Sequence, residues 1–226
     1  MAGHRRPSPV VPGLAQLAGE FAWTIQRLLN ATVCDGITMQ AYVYKPDHLL
    51  VGYGLSKDSL EIRPFRLRVG RGRPHGWLEV SYRLCLDDEG KYLTVVSSYV
   101  GIFASDQAKS LLCHVDYERN KTHGYPEAHL QVEGESAALS AWRLVDGSQD
   151  RALRDLHFPV GGRRYRPALE DVIEFLIVEK LAAPRKGWKV VLDESRDDFR
   201  RRQLRAAIRR DLPTARHALK DFDDLA

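Results

Sequence analysis

The sequence predicts an α+β fold in which a curved, mainly antiparallel β-sheet lies between an N-terminal helix and a C-terminal helical section. Apolar residues recur every three or four positions near the N-terminus, alternate with polar residues from Val33 to Val132, and return to helical spacing after Ser136. These changes divide the chain into a flexible leader at 1–12, an α+β domain at 13–192 and a basic helical extension at 193–226.

The first helix is predicted from Gly13 to Ala31. Leu14, Phe21 and Leu28 belong to an apolar stripe with spacings of three and four residues. Because the stripe is broad, this helix is expected to cover one face of the sheet.

Short strands are predicted in the middle of the chain. The clearest hairpin joins two of them through a turn in which Gly90 can adopt positive φ. Together the segments predict an antiparallel sheet of six to eight strands. They are Ile37–Tyr44, Leu49–Gly54, Leu60–Val69, Trp77–Leu86, Tyr92–Phe103, Leu111–Glu118 and His129–Glu133.

The C-terminal section is predicted to contain two helices and one strand. Leu169 to Leu181 has the pattern of a buried helix that Pro184 ends. Trp188 to Leu192 is a short apolar run typical of a strand. Ser195 followed by Asp198 is a variant of the capping box, so a second helix is expected from there to about Asp211, where Pro213 stops it.

Composition excludes several classes of protein. The chain has 226 residues, of which 44% are hydrophobic and 28% charged. No apolar run approaches the roughly 18 residues that span a bilayer, and no signal peptide is recognisable, so we expect a cytoplasmic protein without a membrane partner. Cys34, Cys85 and Cys113 are too few and too far apart for a disulfide framework or a paired-cysteine zinc site, and we expect buried thiols.

Positive charge is concentrated in the C-terminal third, although the formal net charge of the whole chain is only +4. Guanidinium groups suit bidentate contact with phosphate, which predicts a surface for RNA or another polyanion. A solvated helix face is an equally good interpretation. The arginines predicted to bind nucleic acid are Arg119, Arg163, Arg164, Arg166, Arg201, Arg205 and Arg209.

The segment from His114 to His129 gathers the side chains best able to move a proton. His114, Asp116 and Glu118 alternate with apolar residues, so they should share the polar face of one strand. If the next strand pairs with its core face aligned, His129 approaches Asp116 or Glu118, with opposed Cβ atoms about 4.5 to 5.5 Å apart. His123, in a loop that contains Gly124, can close over them.

Three interpretations of this segment are open. The histidines can act as general acid and base while Asp116 and Glu118 orient them, and phosphodiester cleavage then fits the arginines nearby in sequence. No cofactor is predicted, but a divalent metal bound by His114, Asp116 and His129 is an alternative. The third interpretation is a polar strand face that solvent simply wets.

A second candidate is the loop from His157 to Pro167. Its Gly161-Gly162 turn, followed by Arg163 and Arg164, precedes a helix and can present N–H groups and positive charge to an anion. An ordinary connecting loop is the other interpretation.

The histidine segment resembles the signature of the TumE-type toxins of bacterial toxin–antitoxin loci. The resemblance lies in Asp116-Tyr117-Glu118-Arg119-Asn120, then His123, then Tyr125-Pro126-Glu127-Ala128-His129. It implies a protein that inhibits growth by acting on RNA or translation and that a partner antitoxin neutralises. Asp116, His123 and His129 are the positions to which it assigns roles.

We therefore predict a toxin-like protein that acts on RNA by histidine-based phosphodiester cleavage. His114, His123 and His129 are the proton-transfer candidates, and Asp116 and Glu118 are the orienting carboxylates. The alternatives are a non-catalytic regulator that binds DNA or a partner through its arginine-rich helix, and a structural module whose basic helix meets an acidic protein.

Overall fold

A computed structural model of the chain describes residues 13–70, 76–140, 152–161 and 166–223. It confirms the α+β fold, because one open antiparallel sheet is combined with helices that precede and follow it. The predicted leader at 1–12 lies outside the described residues. The helices are α1 (Leu14–Thr32), α2 (Ala137–Ser140), α3 (Leu169–Val178), α4 (Trp188–Arg210) and α5 (Leu212–Asp223), and the strands are β1 (Met39–Lys45), β2 (His48–Tyr53), β3 (Phe65–Arg66), β4 (Trp77–Leu86), β5 (Leu93–Phe103), β6 (Leu111–Glu118), β7 (Ala128–Val132) and β8 (Phe158–Pro159).

The sheet is an antiparallel meander with strand order β1-β2-β4-β5-β6-β7-β8, and β3 pairs with β4 outside this path. The long hairpin of β4 and β5 carries the predicted turn, in which Gly90 has a φ of 68°. Strand β8 reaches the sheet from far along the chain and pairs His129 with Pro159. The segment before α3 is thereby brought beside the histidine segment.

Helix α1 covers one face of the sheet. Leu14, Ala18 and Leu29 are fully buried, as their spacing predicts, and Phe21 packs edge-on against Tyr82 of β4 with ring centroids 4.9 Å apart. Burial of such a stripe, rather than helix propensity, supplies most of the stability of a helix in a protein. The core therefore lies between α1 and the sheet.

The predicted strand Leu60–Val69 is wrong over most of its length. Only Phe65 and Arg66 form a strand. Pro64 has no N–H to give to a ladder, and the N–H of Arg63 donates to the carbonyl of Tyr53 instead. Residues 60–64 lie beside the end of β2 without forming a strand, and in this segment only β3 pairs with β4.

The predicted strand Trp188–Leu192 is also wrong, because these residues form the first turns of α4. Gly187 precedes the helix with a φ of 78°, and Leu192 is fully buried while Val190 points outward. The predicted cap at Ser195 lies within the helix, where its hydroxyl donates to Glu170 Oε1 at 2.6 Å. Arg196 adds an ion pair with Glu174, so α4 is fastened to α3.

The alternation of β6 gives the sheet two different faces. Cys113, Val115 and Tyr117 point toward the helices and the core, and His114 and Asp116 point to the opposite face. Cys34 is buried, whereas Cys85 and Cys113 are half-buried. None of the helices in the described part of the chain has both the length and the apolar character needed to cross a membrane.

Candidate active site

The centre of the candidate site is the pair formed by Asp116 and His129. The register of β6 and β7 sets them directly opposite each other, as their patterns predict. His129 Nε2 lies 4.0 Å from Asp116 Oδ2, and His129 Nδ1 lies 3.2 Å from the carbonyl oxygen of Pro126. Because a carbonyl only accepts hydrogen bonds, Nδ1 is the protonated nitrogen and Nε2 faces the carboxylate.

His114 is the second imidazole of the site. Its ring stacks on Tyr99 with centroids 5.0 Å apart and lies 6.3 Å from the ring of His129. Burial lowers the pKa of His114, against the opposing influence of Asp116 and of a side-chain hydrogen bond with Gln131. Its Nδ1 is buried without a hydrogen-bond partner among the described residues. The ring is therefore held neutral near pH 7.

Two residues outside the predicted set complete the site. The ring of Tyr125 is parallel to that of His157 at 4.2 Å, and the two rings contact His129 at 4.5 and 4.8 Å respectively. His157 arrives through the pairing of β8 with β7. Below, the histidine cluster means Tyr99, His114, Asp116, Tyr125, His129 and His157.

The histidine cluster is largely covered. Only 1% of the surface of His129 is exposed, because Tyr125 and His157 lie against its ring. The side chain of Asp116 keeps 29% of its surface exposed. A molecule that approaches this face therefore meets Asp116 first, and reaches His129 only after the ring of Tyr125 or His157 moves.

Glu118 and His123 are not brought into the cluster. Glu118 pairs with Lys121 at 2.8 Å, and the Lys121 ammonium lies 3.7 Å from the centroid of the Tyr125 ring. His123 is exposed in the loop between β6 and β7 and makes no ring contact or hydrogen bond with other described residues. The predicted site thus separates into the paired residues Asp116 and His129 with His114, and two residues outside the cluster, Glu118 at the end of β6 and His123 in the following loop.

The predicted phosphate-binding arginines that the structure describes lie apart from the histidine cluster. Arg119 donates through Nε to the carbonyl of Val95, and Arg166 covers the ring of Tyr117 on the helix-bearing face of the sheet. Arg163 and Arg164 lie outside the described residues. The remaining three belong to α4: Arg201 lies near Asp198, Arg205 is exposed and Arg209 covers the ring of Tyr92.

Two other cations flank the histidine cluster instead. Lys121 contacts Tyr125 at one side, and the 153–155 turn brings Arg154 to the other, where its carbonyl accepts a hydrogen bond from Gln131 at 2.8 Å. The Arg154 side chain is 63% exposed and lies 4.0 Å from Glu133. The sequence does not predict a role for Lys121 or Arg154, because each is a single charge. The position of each depends on contacts with β7 that no local pattern shows.

Nearby carboxylates, Glu79, Asp116 and Glu133, contribute a negative electrostatic potential at the cluster. The pKa of Tyr99 is raised, first by burial and then by Glu79 and Asp116. Within the described ranges, no group of three or more His, Cys, Asp or Glu side chains is arranged to hold a metal ion. The cluster brings the imidazoles of His114, His129 and His157 together with the carboxylate of Asp116, and such a set is suited to proton transfer.

In comparisons with known proteins, no family model matches the chain, and no curated protein or solved structure matches it either. The resemblance to the TumE-type toxins therefore stays a prediction.

Proposed function

We propose that this protein is a toxin-like enzyme that cleaves phosphodiester bonds in RNA with His114 and His129 as the proton-transfer pair. The observation that carries the proposal is the approach of two imidazoles to 6.3 Å, with Asp116 facing Nε2 of His129. Such a pair is able to accept a proton on one side of a phosphate and to donate one on the other.

The chemistry is an attack of the RNA 2′-hydroxyl on the adjacent phosphorus. His114 is neutral near pH 7 and takes the proton of the hydroxyl as the new P–O bond forms. His129 donates a proton from Nε2, the nitrogen that faces Asp116, to the departing 5′ oxygen as the old P–O bond breaks. The products are a 2′,3′-cyclic phosphate and a free 5′-hydroxyl.

Asp116 acts as the orienting group of this pair. It faces Nε2 of His129 while the carbonyl of Pro126 holds Nδ1, so the ring keeps one orientation. Fixing the tautomer and the direction of an imidazole is the usual role of a neighbouring acceptor in acid–base catalysis. The carboxylate also compensates the imidazolium charge when both nitrogens carry protons.

Lys121 and Arg154 are the cations best situated to bind the phosphate. They stand on opposite sides of the cluster, and the side chain of Arg154 is largely exposed. Charge developing on phosphate oxygens in the transition state is stabilised by such groups. In this mechanism they replace the arginines predicted from the sequence.

The direct test is cleavage of a fluorescent single-stranded RNA by purified full-length protein, with and without a chelator. His114→Asn and His129→Asn are expected to lower the rate about 10² to 10⁴-fold, the usual contribution of one acid or base. His217→Ala is the matched control, because it removes an exposed imidazole from α5, away from the cluster. Absence of cleavage by the unmodified protein, or equal rates in all variants, contradicts the proposal.

The chelator separates the two chemistries that the sequence leaves open. Cleavage that persists in chelator supports the metal-free histidine mechanism, and cleavage that stops supports a divalent metal. Growth of a bacterial host tests the toxin role itself, since expression of the unmodified chain should slow growth and His129→Asn should not. A neutralising antitoxin protein is the partner that this role implies.

The second candidate function is binding of nucleic acid or a partner through α4, without catalysis. The observation in its favour is that Leu204 and Ile208 are exposed beside Arg201 and Arg205 on the outer half of this helix. If α4 binds a polyanion, affinity for RNA falls steeply with salt, and Arg201→Gln with Arg205→Gln reduces the slope. An unchanged slope removes this candidate.

A further inference from the structure

One face of α4 points away from the rest of the protein and carries apolar and charged residues together. Leu192 is fully buried on the opposite side of the helix, which packs against α1 and α3. Residues three and four positions apart along a helix share one face. Below, the outer stripe means the exposed residues with this spacing, Val190, Glu194, Asp197, Arg201, Leu204, Arg205 and Ile208.

The outer stripe leaves apolar surface exposed at both of its ends. Val190 and Leu204 are each 62% exposed, and Ile208 is 42% exposed. From Val190 to Ile208 the stripe is about 27 Å long, since a helix rises about 1.5 Å per residue. Apolar residues in line along a helix and bordered by charges are typical of a helix that packs against another helix.

Charge on α4 is divided between the two halves of the helix. Residues 193–198 include four carboxylates and one cation, Arg196, which forms an ion pair with Glu174 of α3. Residues 199–210 include six arginines and no carboxylate. Such a helix is complementary to itself when two copies lie antiparallel, because the acidic half of each copy then faces the basic half of the other.

One antiparallel register satisfies the charged and the apolar residues of the outer stripe together. With the midpoint of the pair at position 199, Asp197 lies opposite Arg201 of the second copy, and Val190 lies opposite Ile208 of the second copy. A two-fold axis repeats each contact twice. Within its own helix Arg201 lies 3.8 Å from Asp198, and both side chains are largely exposed, so this weak surface pair does not fix Arg201 in place.

A second copy fits this face better than a polyanion or an acidic protein does. Phosphates or carboxylates would be attracted by Arg201 and Arg205 but repelled by Glu194 and Asp197 on the same face. Only a partner that is basic at one end and acidic at the other matches both halves, and α4 itself has that distribution.

We propose that the outer stripe of α4 is the interface of a homodimer in which the two α4 helices lie antiparallel around a two-fold axis. A single helix pair is small for a protein interface, so the dimer is expected to be weak and reversible. The histidine cluster lies on the other face of the sheet, and dimer formation does not depend on RNA cleavage.

The test is sedimentation velocity of the full-length protein over a wide range of concentration. The average mass of the unmodified chain should rise from that of the monomer toward twice that value. Asp197→Arg and Arg201→Asp each place like charges opposite one another twice, and each should weaken the dimer at least about tenfold. His129→Asn should dimerise like the unmodified protein.

Mixing the two charge variants tests the register itself. An equimolar mixture of Asp197→Arg and Arg201→Asp should recover the dimer, because each introduced charge then faces the opposite charge of the other variant. Arg202→Asp is the matched control, since it makes the same change of charge on α4 at a residue that lines the cavity between α1 and α4. It should dimerise like the unmodified protein and should not restore the dimer of Asp197→Arg.

Three results overturn the proposal. They are a monomer at every concentration, dimers of equal strength in Asp197→Arg and the unmodified protein, and a mixture of the two charge variants that stays monomeric. A chain that remains monomeric and binds RNA through α4 would instead support the second candidate function. Ile208→Asn serves as a second measurement if a charge variant does not fold. It should weaken the dimer by removing the apolar contact with Val190, and an undiminished dimer in this variant also contradicts the interface.

Discussion

At the scale of single residues, the two ring nitrogens of His129 have different surroundings and therefore different tasks. Nδ1 donates to the Pro126 carbonyl, so Nε2, which faces Asp116, is the nitrogen to which the proposed reaction assigns proton transfer. The opposition of Asp116 and His129 could be predicted, because the period-two pattern of both strands aligns their polar faces. The contribution of His157 could not, since it depends on a pairing between segments that no local pattern connects.

The first residue-scale prediction concerns the cover over His129. Tyr125→Ala removes one of the two rings that lie against it, so His129 should react faster with an acylating reagent such as diethyl pyrocarbonate. Mass spectrometry of the labelled peptides measures the rate at each histidine, and the exposed His217 serves as the internal reference. Unchanged labelling of His129 would mean that Tyr125 does not control access.

The second residue-scale prediction is a pH dependence of stability from His114. Its pKa is lowered in the folded protein, so the unfolded chain binds the proton more tightly. The stabilisation is therefore complete above the ordinary histidine pKa of about 6.5 and is lost as the pH falls toward the lower folded value. Denaturant unfolding from pH 7.5 to 5 should show a smaller loss of stability for His114→Asn than for the unmodified protein, and parallel curves would contradict the assignment.

At the scale of elements, α4 shows where a short apolar run misleads. The run from Trp188 to Leu192 is apolar except for Lys189, yet Trp188 and Leu192 face the core at helical spacing and Val190 faces solvent. Periodicity cannot separate helix from strand over five residues. By contrast, α1 and the β4–β5 hairpin have patterns long enough to be predicted correctly.

This difference between helix and strand gives an element-scale prediction. Leu192→Ala should reduce the free energy of unfolding by about 2 to 5 kcal/mol, as for other fully buried leucines. Val190→Ala is the matched control and should change it by no more than about 0.5 kcal/mol, because Val190 is 62% exposed. In a strand the two residues would share a face, so similar losses in both variants would contradict the helix.

At the scale of the whole molecule, the sheet separates two surfaces that the sequence cannot distinguish. The histidine cluster lies on one face, and the α4 arginines and the apolar cavity lined by α1 and α4 belong to the helix-bearing side. Distance along the chain suggested that arginines and histidines act together, but strand alternation and helix packing decide which face each residue occupies. Among the residues that the structure describes, Lys121 and Arg154 lie beside the histidine cluster.

The separation of the two faces predicts which cations affect RNA cleavage. Lys121→Gln combined with Arg154→Gln should raise KM for RNA severalfold. Arg201→Gln combined with Arg205→Gln, a matched loss of two positive charges on the other side, should leave KM nearly unchanged at physiological salt. Steady-state cleavage rates measure both, and the reverse order of effects would place the RNA on α4.

The central claim is that His114 and His129 exchange protons with RNA, and the pH dependence of RNA cleavage tests it most directly. We expect a bell-shaped profile of kcat/KM whose rising limb lies below pH 6.5, because the pKa of His114 is lowered, and His114→Asn should remove that limb. No cleavage at any pH, or an unchanged profile in His114→Asn, would contradict the account.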